Sequence, residues 1–177
     1  TSGFRQRELA KKVSNRPVFT FPKLFGVSAL PEVPTTRYKN LFVSGGFNYP
    51  YQREKIMLIR KLLESGIDGI EYNNGFLGDE DYFRRLGEAK TCFTFCRYPG
   101  AMPSRGLEAL AMGCGVATEA NSALTLYFDE SDGVFTYDEN RGLTETLSHI
   151  INRWDQFESN AKKGAQRVRR DFDLCRC

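Results

Sequence analysis

At 177 residues the chain has room for one ordinary domain, or one domain with a tail. Hydrophobic residues at 41% and charged residues at 27% exclude a disordered tail, and no apolar run reaches the roughly 18 residues a spanning helix needs. The net charge of +3 gathers at the two ends, with five basic and one acidic side chain in residues 1–16 and six and two in residues 162–177, which is not the basic stripe on a folded body that a nucleic-acid binder carries.

Residues 1–39 read as an approach segment. A short charged helix fits residues 6–13, and Pro17, Pro22, Pro31 and Pro34 then break regular structure around an apolar stretch at 18–21. The first residues, Thr1-Ser2-Gly3-Phe4-Arg5, do not read as a signal peptide. From Asn40 the pattern alternates. Leu41-Phe42-Val43 is a short apolar run that stops at Ser44-Gly45-Gly46, and residues 52–65 form a helix with Ile56, Ile59, Leu62 and Leu63 on one face. Strand 68–72 follows, then a turn at Asn73-Asn74-Gly75. Next comes a helix capped by Asp79 that carries Tyr82, Phe83 and Leu86 and ends at Gly87.

The third strand is expected at 91–96. Pro103 opens a helix that Gly113 stops, and a fourth strand covers 115–119. A short helix near 122–127, a last strand at 134–137, and an amphipathic helix marked by Leu143, Leu147, Ile150 and Trp154 complete the series. A basic helix from about 155 to 172 closes it. Strands alternating with helices across short connections predict an α/β fold, a Rossmann-like doubly wound parallel sheet. The domain would span 40–154, with a basic helix and tail at 155–177.

The cysteines are Cys92, Cys96, Cys114, Cys175 and Cys177. Residues four apart on one strand lie about 13 Å apart, too far for a Cys92–Cys96 disulfide. The single histidine, His149, joins no cysteine cluster, so no metal and reduced core thiols, as in a cytoplasmic protein, are expected.

In parallel sheets of this kind, ligands bind at the carboxyl ends of the strands. The turn Ser44-Gly45-Gly46, followed by Arg53 and Lys55, offers glycines that let a phosphate approach and cations to neutralise it. A plain strand–helix turn with surface cations is the alternative. The segment from Pro99 to Gly115 is more specific. Behind Pro103, the N–H groups of Ser104, Arg105 and Gly106 face out of a helix start at its positive end. Gly106 would admit a ligand closely and Arg105 would add a charge. Glu108, one turn on, could accept two hydroxyl hydrogen bonds from a vicinal diol such as ribose. The competing reading is an i,i+3 surface ion pair between Arg105 and Glu108.

The run Pro103-Ser104-Arg105-Gly106-Leu107-Glu108-Ala109-Leu110-Ala111-Met112-Gly113-Cys114-Gly115-Val116 resembles the nucleotide-binding segment of GT-B glycosyltransferases, in particular the spore-maturation-type group. Asp132-Gly133-Val134-Phe135-Thr136-Tyr137 is similar to that group's terminal strand. The resemblance covers about residues 37–172, the C-terminal, donor-binding half of such an enzyme. It implies that Glu108 holds the ribose hydroxyls of a nucleotide diphosphate sugar and that the backbone of 105–107 faces the diphosphate. It also implies that Ser44, Gly45 and Gly46, with Arg53 or Lys55, line the same cleft, with Arg97 near phosphate or sugar and Asn73 and Asn74 by the base. Many relatives carry a glutamate eight positions before the ribose glutamate. That position is Gly100 here, so recognition of the donor sugar does not transfer.

The implied function is the donor-binding domain of an enzyme that moves a sugar from a nucleotide diphosphate to an acceptor hydroxyl, with no metal. Its catalytic residues would lie on an N-terminal partner domain outside this chain. The basic last helix, through Lys162, Lys163, Arg167, Arg169 and Arg170, would dock that domain or a peripheral membrane or cell-envelope acceptor. A nucleotide-sugar epimerase of the same architecture and a non-catalytic nucleotide-binding module are the alternative readings.

Overall fold

In the computed structural model, residues 30–44, 53–96 and 100–173 are described. Their strands are β1 (Lys39–Ser44), β2 (Ile70–Asn73), β3 (Ala89–Phe93), β4 (Gly115–Glu119) and β5 (Val134–Tyr137). They form one five-stranded sheet in the order β2-β1-β3-β4-β5, with every pairing parallel. The helices are α1 (Arg53–Leu63), α2 (Asp79–Glu88), α3 (Ser104–Ala111), α4 (Leu143–Asn152) and α5 (Trp154–Asp171), with 3₁₀ turns at Ala123–Leu126 and Glu130–Asp132. The order reverses after β2, which places the crevice for a ligand at the carboxyl ends of the strands near β1 and β3.

Register explains how both faces of the sheet come to be buried. Phe42 lies opposite Cys92, Cys92 opposite Val116, and Val116 opposite Val134, and all four belong to the core under α2 and α3. One residue on, Phe93, Ala117 and Phe135 form the next row, which belongs to the core under α1 and α4. Neighbouring residues on a strand point to opposite faces, so strands buried on both sides read as continuous apolar runs rather than alternating ones. Phe42 and Phe135 are fully buried, each contributing about 1.5–3 kcal/mol by leaving water.

Several elements differ from expectation. Gly78 occupies the cap position before α2, and Asp79 is its first helical residue, where a carboxylate suits the positive end of the dipole. Gly87 does not stop α2, which runs through Glu88 directly into β3. A side chain at Gly87 would meet Pro34 at 2.7 Å, so close packing explains the glycine. β3 accordingly starts two residues before its expected position and ends at Phe93, leaving Cys96 beyond the strand. The α2–β3 junction is held from upstream. Arg37 donates to the carbonyls of Gly87 (3.0 Å), Ala89 (2.6 Å) and Met112 (2.8 Å), and its guanidinium lies 5.7 Å from the Trp154 ring centre. Trp154 opens α5 instead of closing α4, because the chain turns at Arg153.

Gly113 ends α3 as expected. Its φ is +73°, and the bonds Gly113 N–H to Leu110 O (2.7 Å) and Cys114 N–H to Ala109 O (2.9 Å) close the helix with the paired turn a left-handed glycine permits. The last helix, α5, is bound tightly to its own domain. Arg167 (2.5 Å) and Lys163 (3.4 Å) pair with the buried Asp132. Lys162 pairs with Glu158, Arg170 with Asp171, and Arg169 donates to the carbonyls of Ala111 and Pro31. Each cation expected to dock a partner therefore has an intramolecular acceptor.

Cys92, Cys96 and Cys114 are free and buried. Burial pushes the thiols up to about 12, 12 and 11 respectively, which leaves them protonated and unreactive. Cys175 and Cys177 lie outside the described residues. Among the described residues there is no group of three or more His, Cys, Asp or Glu side chains that could hold a metal ion. Likewise, no helix there is long and apolar enough to cross a membrane.

Candidate functional site

A cleft of about 240 Å³ opens at the carboxyl ends of β1 and β2. Ser44 and Asn73 come from the strand ends, Phe76 and Leu77 from the β2–α2 loop, Asp79 and Tyr82 from the first turn of α2, and Arg105 and Glu108 from the first turns of α3. The sheet order makes this possible. The α2 crossover returns over β1 to β3, so the starts of α2 and α3 stand side by side on one face.

Glu108 is half-buried, and its Oε2 accepts a hydrogen bond from the Tyr82 hydroxyl at 2.9 Å. The Tyr82 ring packs against Phe42 and Phe83, with centroids 6.1 and 5.2 Å away. Burial first, and then the charge of Glu108, raise the Tyr82 phenol far above its ordinary value, so it stays a proton donor. Arg105 makes no ion pair with Glu108 among the described residues. Its guanidinium hydrogen-bonds the carbonyl of Ser44, which ties the start of α3 to the end of β1.

The expected site residues separate into groups. Arg105, Glu108 and Ser44 meet in the cleft. Gly106 and Leu107 do not line it. A side chain at Gly106 would meet Leu124 at 2.9 Å and Thr94 at 3.3 Å, so its bareness serves the packing of α3 rather than the approach of a ligand. Its N–H is taken by the Pro103 carbonyl at 3.0 Å. Leu107 is fully buried in the core, and Ser104, half-buried, opens the helix beside the cleft. Gly45, Gly46 and Arg97 lie outside the described residues. Arg53 is exposed at the start of α1. Lys55 is the more buried of the two cations there, and burial followed by the nearby charge of Arg105 lowers its ammonium to about 8. Gly100 has φ of +75°, a conformation that disfavours the glutamate many relatives place there.

Tyr82 is the residue the sequence did not mark for function. A buried tyrosine needs a partner for its hydroxyl, which is a usable signal, but the partner stands 26 positions away on another helix. Phe76, which the sequence also left unmarked, is almost wholly exposed at the cleft rim.

A parallel sheet with a carboxylate, an arginine and a helix start gathered at its switch point defines a Rossmann-like α/β domain with a polar cleft at its strand ends. Residues 21–176 match the model of the glycosyl transferase-like family, and the chain belongs to that family. No curated protein matches the sequence. Among solved structures, the chain is similar to sucrose-phosphate synthase from Thermosynechococcus elongatus, with a TM-score of 0.70 at 13% identity, covering 99% of this chain and 54% of that one. HepE of Anabaena, solved with UDP and glucose, gives 0.73 at 10% identity over 99% of this chain and 59% of its own. TarM gives 0.67 at 11% identity over 96% and 39%. The chain thus spans between 39% and 59% of the length of these three and shares the Rossmann-like fold of GT-B glycosyltransferases.

Proposed function

We propose that the cleft binds the nucleoside diphosphate part of a sugar donor, as the donor domain of a glycosyltransferase that moves the sugar to an acceptor hydroxyl. The observation that carries this reading is the meeting on the cleft wall of a hydrogen-bonded carboxylate, Glu108, and a cation, Arg105, which a second cation, Lys55 on α1, is near enough to repel. Two neighbouring cations are relieved by an anion, and a carboxylate one turn away suits the hydroxyls of a ribose. The family match and the solved complex of HepE with UDP and glucose support the same assignment.

In that role the cations and the start of α3 offset the charge that develops on the departing diphosphate. The reading assigns this task to side chains and helix rather than to a metal ion, so transfer should survive chelators. The acceptor and the groups that activate it belong to a second domain, and the reaction would take place in the cytoplasm. Titration calorimetry of this chain with UDP, GDP, ADP and TDP tests the reading. Micromolar to millimolar binding of one of them, weakened by Glu108→Ala, is expected. Absence of binding to all four would overturn it.

A further inference from the structure

We infer that Tyr82 is a positioning residue that sets the Glu108 carboxylate so that the cleft selects a ribonucleotide over its deoxy counterparts. This rests on the proposal that the cleft holds a nucleoside diphosphate. A glutamate side chain has three rotatable bonds, and a half-exposed one on a helix samples several rotamers. Here the hydroxyl of Tyr82 donates to Oε2 at 2.9 Å, and Arg105, the other candidate partner, is turned to the Ser44 carbonyl instead. Tyr82 itself has little freedom, since its ring is wedged against Phe42 and Phe83. The contact therefore transfers the rigidity of the core to a carboxylate at the cleft wall.

The arrangement leaves acceptor capacity for a diol. A carboxylate offers about four lone-pair positions, and Tyr82 uses one of them. The remainder can accept both hydroxyls of a ribose, whereas a 2′- or 3′-deoxyribose leaves one position unmet. Fixing the carboxylate in advance lowers the cost of ordering it when ligand binds, so the anchor should sharpen discrimination between ribose and deoxyribose, beyond any effect on overall affinity.

The test uses the full 177-residue chain and the tightest-binding of UDP, GDP, ADP and TDP, with its 2′-deoxy or ribo counterpart. Tyr82→Phe keeps the ring and removes the donor. It should lower the ratio of ribo to deoxy affinity by about three- to tenfold, while Glu108→Ala brings the ratio near one and makes Tyr82→Phe silent in the double variant. A purely structural tyrosine would lower thermal stability and weaken both ligands equally, and an unchanged ratio overturns the inference. Should Tyr82→Phe fail to fold, 3-fluorotyrosine placed at position 82 supplies a more acidic donor in the same shape. The ratio should then rise, and a constant ratio again overturns the inference. Absence of binding by the wild-type chain to every nucleotide would instead fell the underlying assignment, which keeps the two failures distinct.

Discussion

Arg105 and Glu108 stand three positions apart on α3 yet face different partners, Arg105 the carbonyl of Ser44 and Glu108 the hydroxyl of Tyr82. The surface ion pair that their spacing allows does not form. Each side chain instead ties α3 to a different element, β1 for one and α2 for the other. Both remain on the cleft wall, where the cation can meet a phosphate and the carboxylate a diol.

Replacement of Glu108 should therefore act on ligand binding more than on folding. Hydrogen bonds to a charged acceptor are worth about 1.5–3 kcal/mol, so Glu108→Ala should weaken nucleoside diphosphate binding roughly 10- to 150-fold. Glu108→Gln keeps the shape and one acceptor and should cost less. Calorimetry on both variants checks the order. Equal affinity of Glu108→Ala and the wild type would leave this carboxylate without the role.

Lys55, close enough to the cleft's Arg105 to feel its charge, gives the protein a pH dependence. Its folded value of about 8 lies below the ordinary lysine value of 10.5, so between these two pH values the unfolded chain binds more protons than the folded one. Stability should rise with pH across that window, because the cost of burying the ammonium disappears as it deprotonates. Ligand binding should run the other way. A bound diphosphate favours the charged lysine, so affinity should fall as pH rises through about 8. In Lys55→Met both trends should flatten, as read by thermal melts and calorimetry between pH 7 and 10. A pH profile that survives the substitution would assign the titration to another group.

Arg37 is a stability prediction of a different kind. Its planar fork serves three carbonyls at the α2–β3 and α3–β4 ends. A lysine would keep the charge but not the fork. Arg37→Lys should cost about 1.5–3 kcal/mol, lowering Tm by about 3–12 °C. A Tm within one degree of wild type would show the segment before β1 to be dispensable.

Gly164 tests whether packing or helix propensity governs α5. Alanine in a helix normally gains about 0.5–1 kcal/mol over glycine. At this position, however, its Cβ would come 2.0 Å from the Asp132 carbonyl oxygen, a backbone atom that cannot step aside. Gly164→Ala should be destabilising by about 1–3 kcal/mol. Gly142 caps α4, has φ of −65° and makes no side-chain cap bond, and nothing lies near its missing side chain. Gly142→Ser should accordingly stabilise by a few tenths of a kcal/mol. Urea titration of both variants should give opposite signs.

The parallel sheet and the stop of α3 were legible because each leaves a local mark. Apolar runs such as Leu41-Phe42-Val43 signal strands buried on both faces, and Gly113 is needed where the chain turns left-handed. The α2–β3 junction was not legible. It has no loop, so no turn residue marks it, and what holds it is Arg37, more than fifty positions upstream of Ala89. Gly106 was misleading for a related reason. A glycine at a helix start fits a ligand or a neighbour equally well, and only the placement of Leu124 and Thr94 shows that the neighbour takes the space. The Tyr82–Glu108 bond depends on two helices meeting side by side on one face of the sheet, a tertiary fact with no trace in either residue's surroundings.

Helix α5 belongs to both sides of the sheet. Trp154 and Ala161 sit in the core beneath α1 and α4, while Val168 and, just past the helix end, Phe172 sit in the core beneath α2 and α3. A single rigid rod thus laces the two halves together, passing Asp132 on the way. Neither layer can peel away without releasing the rod from the other, so slow amide exchange in α1 and in α3 should share one opening free energy. A molecule laced in this manner comes apart all at once.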